Sequence, residues 1–327
     1  MKFRSNNILV TGGAGFIGSN FIKVLLDKYR NIRVVNLDAL TYAGNIKNTN
    51  TFKFDKRYTF IKGNICNSSL LDDIFKNHKI DGVINFAAES HVDNSIKNPK
   101  KFIQTNIIGV YKLLSAAYKN WMTGNFKVKS QFNHARFHQI STDEIYGSIP
   151  SGSFFEKDQY NPNSPYSASK ASADMIVRSF NQTYGLNVTT SISSNNYGPN
   201  QHSEKFLPKI ISCIISNEEI PIYGDGMNIR NWLFVEDNCE AIIKIFNAGL
   251  VGSKYNVGSE QEISNIELVK MVYEVFNKKE KIKYINDRFG HDFRYSLDCS
   301  KIKNELSWEA QTDIKNYLRN TYTKIFQ

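Results

Sequence analysis

An apolar run near the start of the chain passes directly into a glycine-rich turn, Ile8-Leu9-Val10-Thr11-Gly12-Gly13-Ala14-Gly15-Phe16-Ile17-Gly18. The spacing gives three glycines different tasks: Gly12 permits a tight turn, Gly15 lets the backbone approach a diphosphate, and Gly18 lets a helix lie close to the strand. The helix that begins here would present unpaired N–H groups and a partial positive charge to that diphosphate. The stretch therefore predicts a strand, a turn and a helix that bind a dinucleotide.

The next predicted strand ends in Asp38, twenty residues after Gly18. A carboxylate at this place binds the hydroxyls of the adenosine ribose. It would repel a 2′-phosphate, and Ala39-Leu40-Thr41 offers no arginine to bind one. The sequence therefore predicts NAD as the cofactor. A glycine turn that only joins strand to helix is a weaker interpretation, because strand, turn, helix and acid all fall at the expected spacing.

The first half of the chain alternates short β-branched runs with longer amphipathic segments, a pattern typical of a parallel sheet. Strands are predicted at Asn7–Thr11, Arg33–Asp38, Thr59–Lys62, Gly82–Ala87, Arg136–Thr142 and Val188–Ser193. Helices are predicted at Gly15–Tyr29, Ser68–His78, Pro99–Lys119 and Ser164–Tyr184. The predicted fold class is α/β, with a doubly wound parallel sheet of the Rossmann type.

The regular alternation ends near Asn195, where Gly, Pro and Asn become frequent. Further helices are predicted at Glu236–Ala248, Ser264–Phe276 and Asp313–Ile325. We therefore expect an NAD-binding domain over residues 1–194, with a segment near 229–258 that returns to it. A smaller α/β substrate-binding lobe is expected over residues 195–327.

The composition excludes several classes of protein. Among 327 residues, 41% are hydrophobic, yet no apolar run approaches the ~20 residues needed to cross a bilayer. The polar segment Met1–Asn7 carries no secretory signal, so a cytoplasmic protein without membrane partners is expected. The four cysteines and six histidines show no disulfide or metal-ligand spacing. The net charge of +10 is spread along the chain, which favours a solvated surface over nucleic-acid binding.

Two groups of residues are candidates for catalysis. Tyr166 and Lys170 are four residues apart and would share a helix face, where the ammonium could stabilise a phenolate. Lowering the pKa of a tyrosine from ~10 to ~7 takes about 4 kcal/mol. Upstream, a strand ends in Thr142-Asp143-Glu144, at the edge where open α/β sheets bind ligands. Neighbouring carboxyls tend to have divergent pKa values, which supplies one acid and one base.

Each group has a plainer interpretation when taken alone. An isolated Tyr-x-x-x-Lys is more often an exposed helix face, and adjacent acids are more often turn or cap residues. Three hypotheses remain: a dehydratase that needs both acids, an epimerase or reductase that needs only Thr142, Tyr166 and Lys170, and a non-catalytic dinucleotide- or RNA-binding module.

Segments along nearly the whole chain resemble the NDP-glucose 4,6-dehydratases of the extended short-chain dehydrogenase/reductase family. The Thr142-Asp143-Glu144 triplet is the most discriminating, because it separates dehydratases from related epimerases. The other matching segments are Thr41-Tyr42-Ala43-Gly44-Asn45, Ala87-Ala88-Glu89-Ser90-His91-Val92-Asp93, Ser164-Pro165-Tyr166-Ser167-Ala168-Ser169-Lys170, Asn195-Asn196-Tyr197-Gly198-Pro199, Pro221-Ile222-Tyr223-Gly224, Arg230-Asn231-Trp232-Leu233-Phe234-Val235-Glu236-Asp237 and Gly290-His291-Asp292.

The resemblance implies a three-stage reaction in which NAD is retained. Tyr166 would take the proton of the sugar 4-hydroxyl, with a hydrogen bond from Thr142, as hydride leaves C4. Glu144 would then remove the C5 proton and Asp143 would protonate the departing 6-hydroxyl. Return of hydride to C6 and of a proton to C5 gives an NDP-4-keto-6-deoxyglucose. The nucleotide is left open between dTDP and UDP.

The same resemblance implies further site residues. Cofactor positions are Gly12, Gly15, Phe16, Ile17, Gly18, Asp38, Asn64, Ile65, Ala87, Ser90, Thr105, Tyr166, Lys170 and Asn196. Substrate positions are Ser90, Thr142, Asn195, Lys205, Phe206, Pro221, Tyr223, Arg230, Asn265, Arg288 and His291. Arginine and lysine suit diphosphate oxygens. A homodimer that pairs the helices near Pro99–Lys119 and Ser164–Tyr184 is also implied.

The chain departs from the family pattern at three positions. Asn64 stands where an aspartate is usual near the adenine, and its amide oxygen can still accept a hydrogen bond. Asn94 replaces an arginine, and Phe289 replaces a proline in the nucleotide-binding stretch.

Overall fold

The computed structural model of the chain describes residues 3–287 and 289–322. Its strands are β1 (Asn7–Thr11), β2 (Arg33–Asp38), β3 (Tyr58–Lys62), β4 (Gly82–Asn85), β5 (Met122–Gly124), β6 (Lys127–Val128), β7 (Arg136–Thr142), β8 (Val188–Ser193), β9 (Asn195–Tyr197), β10 (Ile220–Tyr223), β11 (Ile229–Phe234), β12 (Lys254–Val257), β13 (Glu262–Ser264) and β14 (Ile282–Ile285). Its α-helices are α1 (Phe16–Lys28), α2 (Ser68–His78), α3 (Val92–Lys97), α4 (Pro99–Phe102), α5 (Val110–Trp121), α6 (Pro165–Tyr184), α7 (Phe206–Ile215), α8 (Val235–Ala248), α9 (Asn265–Phe276), α10 (Ser300–Leu306) and α11 (Ile314–Tyr322).

Seven parallel strands form the main sheet in the order β12-β8-β7-β4-β1-β2-β3. One face packs against α2, α5 and α6, and the other against α1 and α8. Because both faces are covered, the central strands are buried along their whole length, including the polar side chains of β7 and β8. The predicted doubly wound α/β fold is confirmed, and β1, β2, β7 and β8 have the predicted bounds.

The sheet order sets the position of the site. Strands β1 and β4 are neighbours, although β2 and β3 lie between them in sequence. The order in which successive strands are added to the sheet therefore reverses beside β1. Ligands of open α/β sheets bind outside the carboxyl ends of the strands at such a reversal. The glycine turn after β1 and the acid pair after β7 both lie at this edge.

One predicted helix is divided in the structure. Residues 99–119 were predicted as continuous, but α4 gives way to a π-helical segment over Ile103–Gly109, and α5 then runs to Trp121. Helical periodicity alone does not separate α from π geometry, and π segments occur frequently at functional sites. The single-helix prediction is therefore wrong over this stretch.

The later part of the chain contributes to both the main sheet and smaller ones. Strand β12 forms the edge of the main sheet and α8 packs on α1, whereas β11 pairs with β9 and β13 in a separate three-stranded sheet. Strands β10 and β14 form a two-stranded parallel sheet, and a third hydrophobic core lies among α7, α9 and α11. The division at residue 194 stays a prediction.

Several elements follow from local chemistry at their ends. Helix α6 begins with a capping box, in which Ser164 and Ser167 exchange hydrogen bonds of 3.0 Å with each other's backbone N–H, and ends at Gly185 in the left-handed region. The last helix was predicted over Asp313–Ile325; α11 covers Ile314–Tyr322, and residues 323–325 lie outside the described part of the chain. Across residues 3–287 and 289–322, no helix has both the length and the apolar character needed to cross a membrane.

Candidate active site

The glycine turn after β1 is built for close backbone approach. Gly12 has φ +70°, and a Cβ there would lie 2.8 Å from the backbone nitrogen of Ala87. A Cβ at Gly18 would meet the carbonyl oxygen of Gly12. Helix α1 begins at Phe16 without a side-chain cap at Gly15, so its first N–H groups remain available to an anion.

Asp38, at the end of β2, is held in place beside that turn. Its Oδ2 accepts a hydrogen bond from the Ala14 N–H and its Oδ1 accepts one from the Leu40 N–H, each 2.8 Å long. Burial raises the pKa of Asp38, whereas the two hydrogen bonds lower it. A carboxylate has about four lone-pair sites, so two remain for ribose hydroxyls. The carboxylate and the uncapped helix end together suit a dinucleotide.

Two pockets lie at this edge of the sheet. The first contains the glycine turn and Asp38, has a volume of ≈ 340 Å³, and opens onto a second of ≈ 690 Å³ that contains Arg230 and Asn265. Both volumes are in the range of cofactor and small-molecule sites. Seven residues line both pockets and so form their junction: Ser90, Glu144, Asn195, Glu204, Lys205, Phe206 and Trp232.

The structure brings the sequence-predicted residues together in these two pockets. The first pocket is lined by every predicted catalytic and cofactor residue: Thr142, Asp143, Glu144, Tyr166, Lys170, Gly12, Gly15, Phe16, Ile17, Gly18, Asp38, Asn64, Ile65, Ala87, Ser90, Thr105 and Asn196. The second pocket is lined by Ser90, Asn195, Lys205, Phe206, Pro221, Tyr223, Arg230, Asn265 and His291. Arg288 lies outside the described residues. The structure thus places these residues together, and their individual roles stay predictions.

Tyr166 and Lys170 lie in the first two turns of α6, and both are buried. The Lys170 ammonium donates a 2.5 Å hydrogen bond to the carbonyl oxygen of Ile140 in β7. Burial lowers the pKa of Lys170.

The protonation of Tyr166 differs from the sequence-based expectation. Burial raises the pKa of the Tyr166 phenol well above its ordinary value, and the negative charge of Glu144 raises it further. A hydrogen bond with Thr142 acts in the opposite direction. In the protein's own groups the pKa of Tyr166 is thus raised by burial and the nearby acids, and the expected lowering is not seen.

Thr142 ends β7, and the acid pair follows in a 3₁₀ turn over Asp143–Tyr146. The Thr142 hydroxyl donates to Asp143 Oδ1 at 3.2 Å and accepts from the Glu144 N–H at 3.4 Å. Burial, and then the negative charge of Glu144, raise the pKa of Asp143 to about 8. Asp143 therefore holds a proton at neutral pH, as expected of the acid in a pair of carboxyls with divergent pKa values.

Two predicted substrate cations are already oriented by the protein. The Arg230 guanidinium donates to the carbonyl oxygens of Ile229, Asp292 and Phe293 and lies 4.4 Å from the centre of the Tyr295 ring. Lys205 donates to the carbonyl oxygen of Ser90 at 3.3 Å.

Sequence reasoning missed several residues that line the pockets. Glu204 and Trp232 lie at the junction, and His202 lies beside Glu204, with Nδ1 3.6 Å from its Oε1. The segment around Glu204 has no periodic pattern, so nothing in its spacing pointed to the pocket. Of the three departures from the family pattern, Asn64 lines the first pocket and Phe289 is 91% exposed, while Asn94 lies in α3.

A parallel sheet with a dinucleotide cleft, a buried Tyr–Lys pair and an adjoining polar pocket defines an extended short-chain dehydrogenase/reductase. The chain belongs to the family described as GDP-mannose 4,6 dehydratase, whose profile matches residues 9–321. It is accordingly an enzyme of the hydro-lyase class, and the resemblance drawn from the sequence is confirmed.

Individual relatives agree with this assignment. The chain is 46% identical to a dTDP-glucose 4,6-dehydratase of Xanthomonas campestris pv. campestris (strain B100), over 92% of this chain and 88% of that one. It is 41% identical to the dTDP-glucose 4,6-dehydratase of Bacillus anthracis, solved in complex with NAD (TM-score 0.87, 98% and 97% of the chains). It is 39% identical to that of Streptomyces venezuelae, solved with NAD bound (TM-score 0.89, 96% and 95%).

Proposed function

We propose that this enzyme dehydrates dTDP-glucose to dTDP-4-keto-6-deoxyglucose, with NAD as a cofactor that is regenerated in each cycle. The observation that carries the proposal is the buried Asp143 beside Glu144, in the same pocket as Tyr166 and Lys170. Oxidation of a sugar needs only the Tyr–Lys pair and a hydroxyl. An acid and a base on one face are what the loss of water requires in addition.

NAD is the cofactor, and the first pocket fits it. The N–H groups at the start of α1 would bind the diphosphate, Asp38 the adenosine ribose, and Lys170 the nicotinamide ribose. When bound, NAD supplies a hydride acceptor and later returns the hydride.

In the first stage Tyr166 Oη takes the proton of the sugar 4-hydroxyl. Burial keeps the Tyr166 phenol protonated in the protein alone. Thr142 would hydrogen-bond the same sugar oxygen and so orient it toward Tyr166. The base form of Tyr166 therefore depends on positive charge placed against it, including that of Lys170.

In the second stage Glu144 removes the C5 proton, which the 4-keto group has made acidic. Asp143 gives its proton to the 6-hydroxyl, which leaves as water. A pKa of about 8 favours the protonated form of Asp143 at the start of each cycle. In the last stage the hydride returns to C6 and Glu144 returns its proton to C5. The proton that Tyr166 took from the 4-hydroxyl balances the one that Asp143 lost with the water, so Asp143 is reprotonated before the next cycle.

The choice of nucleotide rests on the relatives, which act on dTDP-glucose by name. Initial rates of 4-keto sugar formation should be measured separately with dTDP-glucose and UDP-glucose. We expect a higher kcat/KM with dTDP-glucose and no net NADH. Equal or faster turnover of UDP-glucose would contradict the nucleotide, and a 4-epimer or a reduced sugar in place of the 4-keto product would contradict the dehydration.

We also propose a homodimer that pairs α5 and α6 with their copies. Three large apolar side chains in α5, in α6 and in the π-helical segment before α5 are about half exposed: Ile103 51%, Tyr111 50% and Met175 52%. Exposed apolar side chains grouped on one face are typical of interfaces. Light scattering should give twice the chain mass of 37.5 kDa, and a stable monomer would contradict the pairing.

A cytoplasmic location is proposed for the enzyme. All four cysteines, Cys66, Cys213, Cys239 and Cys299, are free thiols in the described part of the chain, as suits a reducing compartment. Recovery of the native enzyme from a membrane or secreted fraction would contradict this location.

A further inference from the structure

A buried carboxyl that the proposed reaction does not use lies behind the Tyr166–Lys170 pair. Asp174 follows Lys170 by four residues in α6 and is 4% exposed. Carboxyl groups are almost never buried to this extent unless they are paired. The surroundings of Asp174 therefore need an explanation.

Two contacts join α6 to the end of β7 at successive residues. Lys170 donates to the carbonyl oxygen of Ile140, and the Ser141 hydroxyl donates to Asp174 Oδ2, both at 2.5 Å. Thr142 and the acid pair follow Ser141 directly. Lys170 and Asp174 thus hold the strand end that carries the acid pair against the helix that carries Tyr166.

Titratable groups face Asp174 from its own helix and from three other parts of the chain. Lys170 faces it from its own helix, Lys254 from β12, and the phenols of Tyr160 and Tyr146 from the loop before α6 and the turn after β7. Among the described residues, Asp174 Oδ1 has no hydrogen-bond partner of normal length. The Lys170 ammonium favours the ionised form of Asp174 most, the hydrogen bond from Ser141 comes next, and the Lys254 ammonium contributes less.

The interaction with Lys170 is reciprocal. Burial lowers the pKa of Lys170, and the negative charge of Asp174 raises it. Burial raises the pKa of Asp174 to about 6, and Lys170 lowers it. Each group therefore favours the charged form of the other, against the burial that disfavours both charges.

We infer that Asp174 is a positioning residue: its carboxylate supplies the counter-charge of the Lys170 ammonium and, through Ser141, holds the acid-pair strand end against the catalytic helix. The effect on turnover rests on the proposed function, whereas the effect on Lys170 does not. If Asp174 served only in packing, its titration would change neither the turnover nor the environment of the Lys170 ammonium.

The test on turnover is Asp174→Asn, which keeps an acceptor for Ser141 but removes the charge. We expect kcat at pH 8 to fall about tenfold, corresponding to about 1.4 kcal/mol, with KM within about twofold. The ratio of wild-type to variant kcat should shrink toward one below pH 6, because protonated Asp174 then resembles asparagine. A ratio that stays constant from pH 5.5 to 8.5 would overturn the inference.

Two further variants separate charge from geometry. Ser141→Ala removes the hydrogen bond and keeps the carboxylate, so we expect a smaller loss of kcat that does not vary with pH. Glu156→Gln is the matched control, because Glu156 is also buried with a raised pKa but accepts a hydrogen bond from the Asn256 N–H. It should leave the pH profile of kcat unchanged.

A measurement without turnover tests the inference even if Asp174→Asn does not fold. Lysine side chains labelled with ¹³C at Cε would be titrated by NMR in the wild-type enzyme, with Lys170→Met used to assign the Lys170 signal. We expect that signal to shift near pH 6 as Asp174 titrates. No shift there would overturn the inference, whereas absence of 4-keto sugar from the wild type would contradict only the proposed function.

Discussion

The two sides of the cleft use different chemistry. On the glycine-turn side, the groups that face the pocket are mostly backbone N–H groups, and Asp38 is fixed there by two more N–H donors. On the sugar side, the groups are buried ionisable side chains, and the pKa values of Asp143 and Tyr166 are both raised by that burial. Changes on the first side should therefore alter cofactor binding, while changes on the second should alter rate, pH dependence and stability.

Tyr166→Phe should have the largest effect, since it removes the atom that accepts the first proton. We expect kcat to fall about 10³-fold or more, within the range for loss of a general base, with NAD affinity nearly unchanged. Rapid-mixing measurement of NAD reduction on addition of dTDP-glucose would check it. Tyr273→Phe is the control, because it removes a hydroxyl that donates to the Lys281 carbonyl oxygen in the third hydrophobic core, away from the cleft. This variant should keep wild-type activity. Normal turnover by the Tyr166 variant would refute its role as base.

Glu144→Gln should come next and should divide the reaction into its stages. Without a base at C5, formation of the 4-keto-6-deoxy sugar should fall about 10²-fold or more, while hydride transfer from C4 to NAD persists. The variant should therefore accumulate reduced cofactor, visible at 340 nm. Full product formation at the wild-type rate would show that another group removes the C5 proton.

Gly18→Ala should change the opposite side of the cleft. The added Cβ would meet the Gly12 carbonyl oxygen, so α1 must move away from β1 and with it the N–H groups for the diphosphate. We expect NAD affinity to fall roughly tenfold or more, about 1.4 kcal/mol, by calorimetry. Gly124→Ala is the control, because its Cβ would approach nothing nearer than 3.9 Å. If Gly18→Ala altered sugar turnover and left NAD affinity unchanged, the two sides of the cleft would not have the separate roles described above.

The sequence predicted the two sides unequally, for a physical reason. The glycine turn and Asp38 act through local backbone geometry, so their spacing along the chain is enough to place them. The second pocket collects residues that are far apart in sequence, including Pro221 in β10, Arg230 in β11 and His291 in a loop, which only the family resemblance identified. Glu204 and Trp232 matched no local rule and were missed.

Protonation was the least predictable property. The pKa of Asp143 is raised, in the direction expected of the acid in the pair, whereas the sequence predicted a lowered pKa for Tyr166, where burial raises it. Charge partners can be read from spacing, whereas desolvation depends on how completely the assembled cleft encloses a side chain. The π-helical segment at Ile103–Gly109 is a similar case, since it depends on how the helix packs and not on its periodicity.

Asp143→Asn should have the smallest effect of these four variants, and the effect is on stability. The substitution should raise the stability of the fold while it lowers the rate. Because the pKa of Asp143 is raised to about 8 in the folded chain, the unfolded chain loses this proton near pH 4 and the folded chain keeps it. The wild type therefore loses stability as the pH rises from about 4 to 8, whereas the amide does not titrate. The Tm of the variant should exceed that of the wild type by a margin that widens between pH 5 and 8, by a few degrees in all, since each pH unit in this range corresponds to at most about 1.4 kcal/mol. Glu267→Gln is the control of opposite sign, since capping hydrogen bonds with Ser264 lower the pKa of Glu267; this variant should lose stability by an amount that is constant over the same pH range. Keeping Asp143 protonated at neutral pH lowers the stability of the fold. A Tm difference that does not change with pH would mean that Asp143 is more hydrated than its burial indicates. The contrast between the two sides of the cleft would then rest on Tyr166 alone.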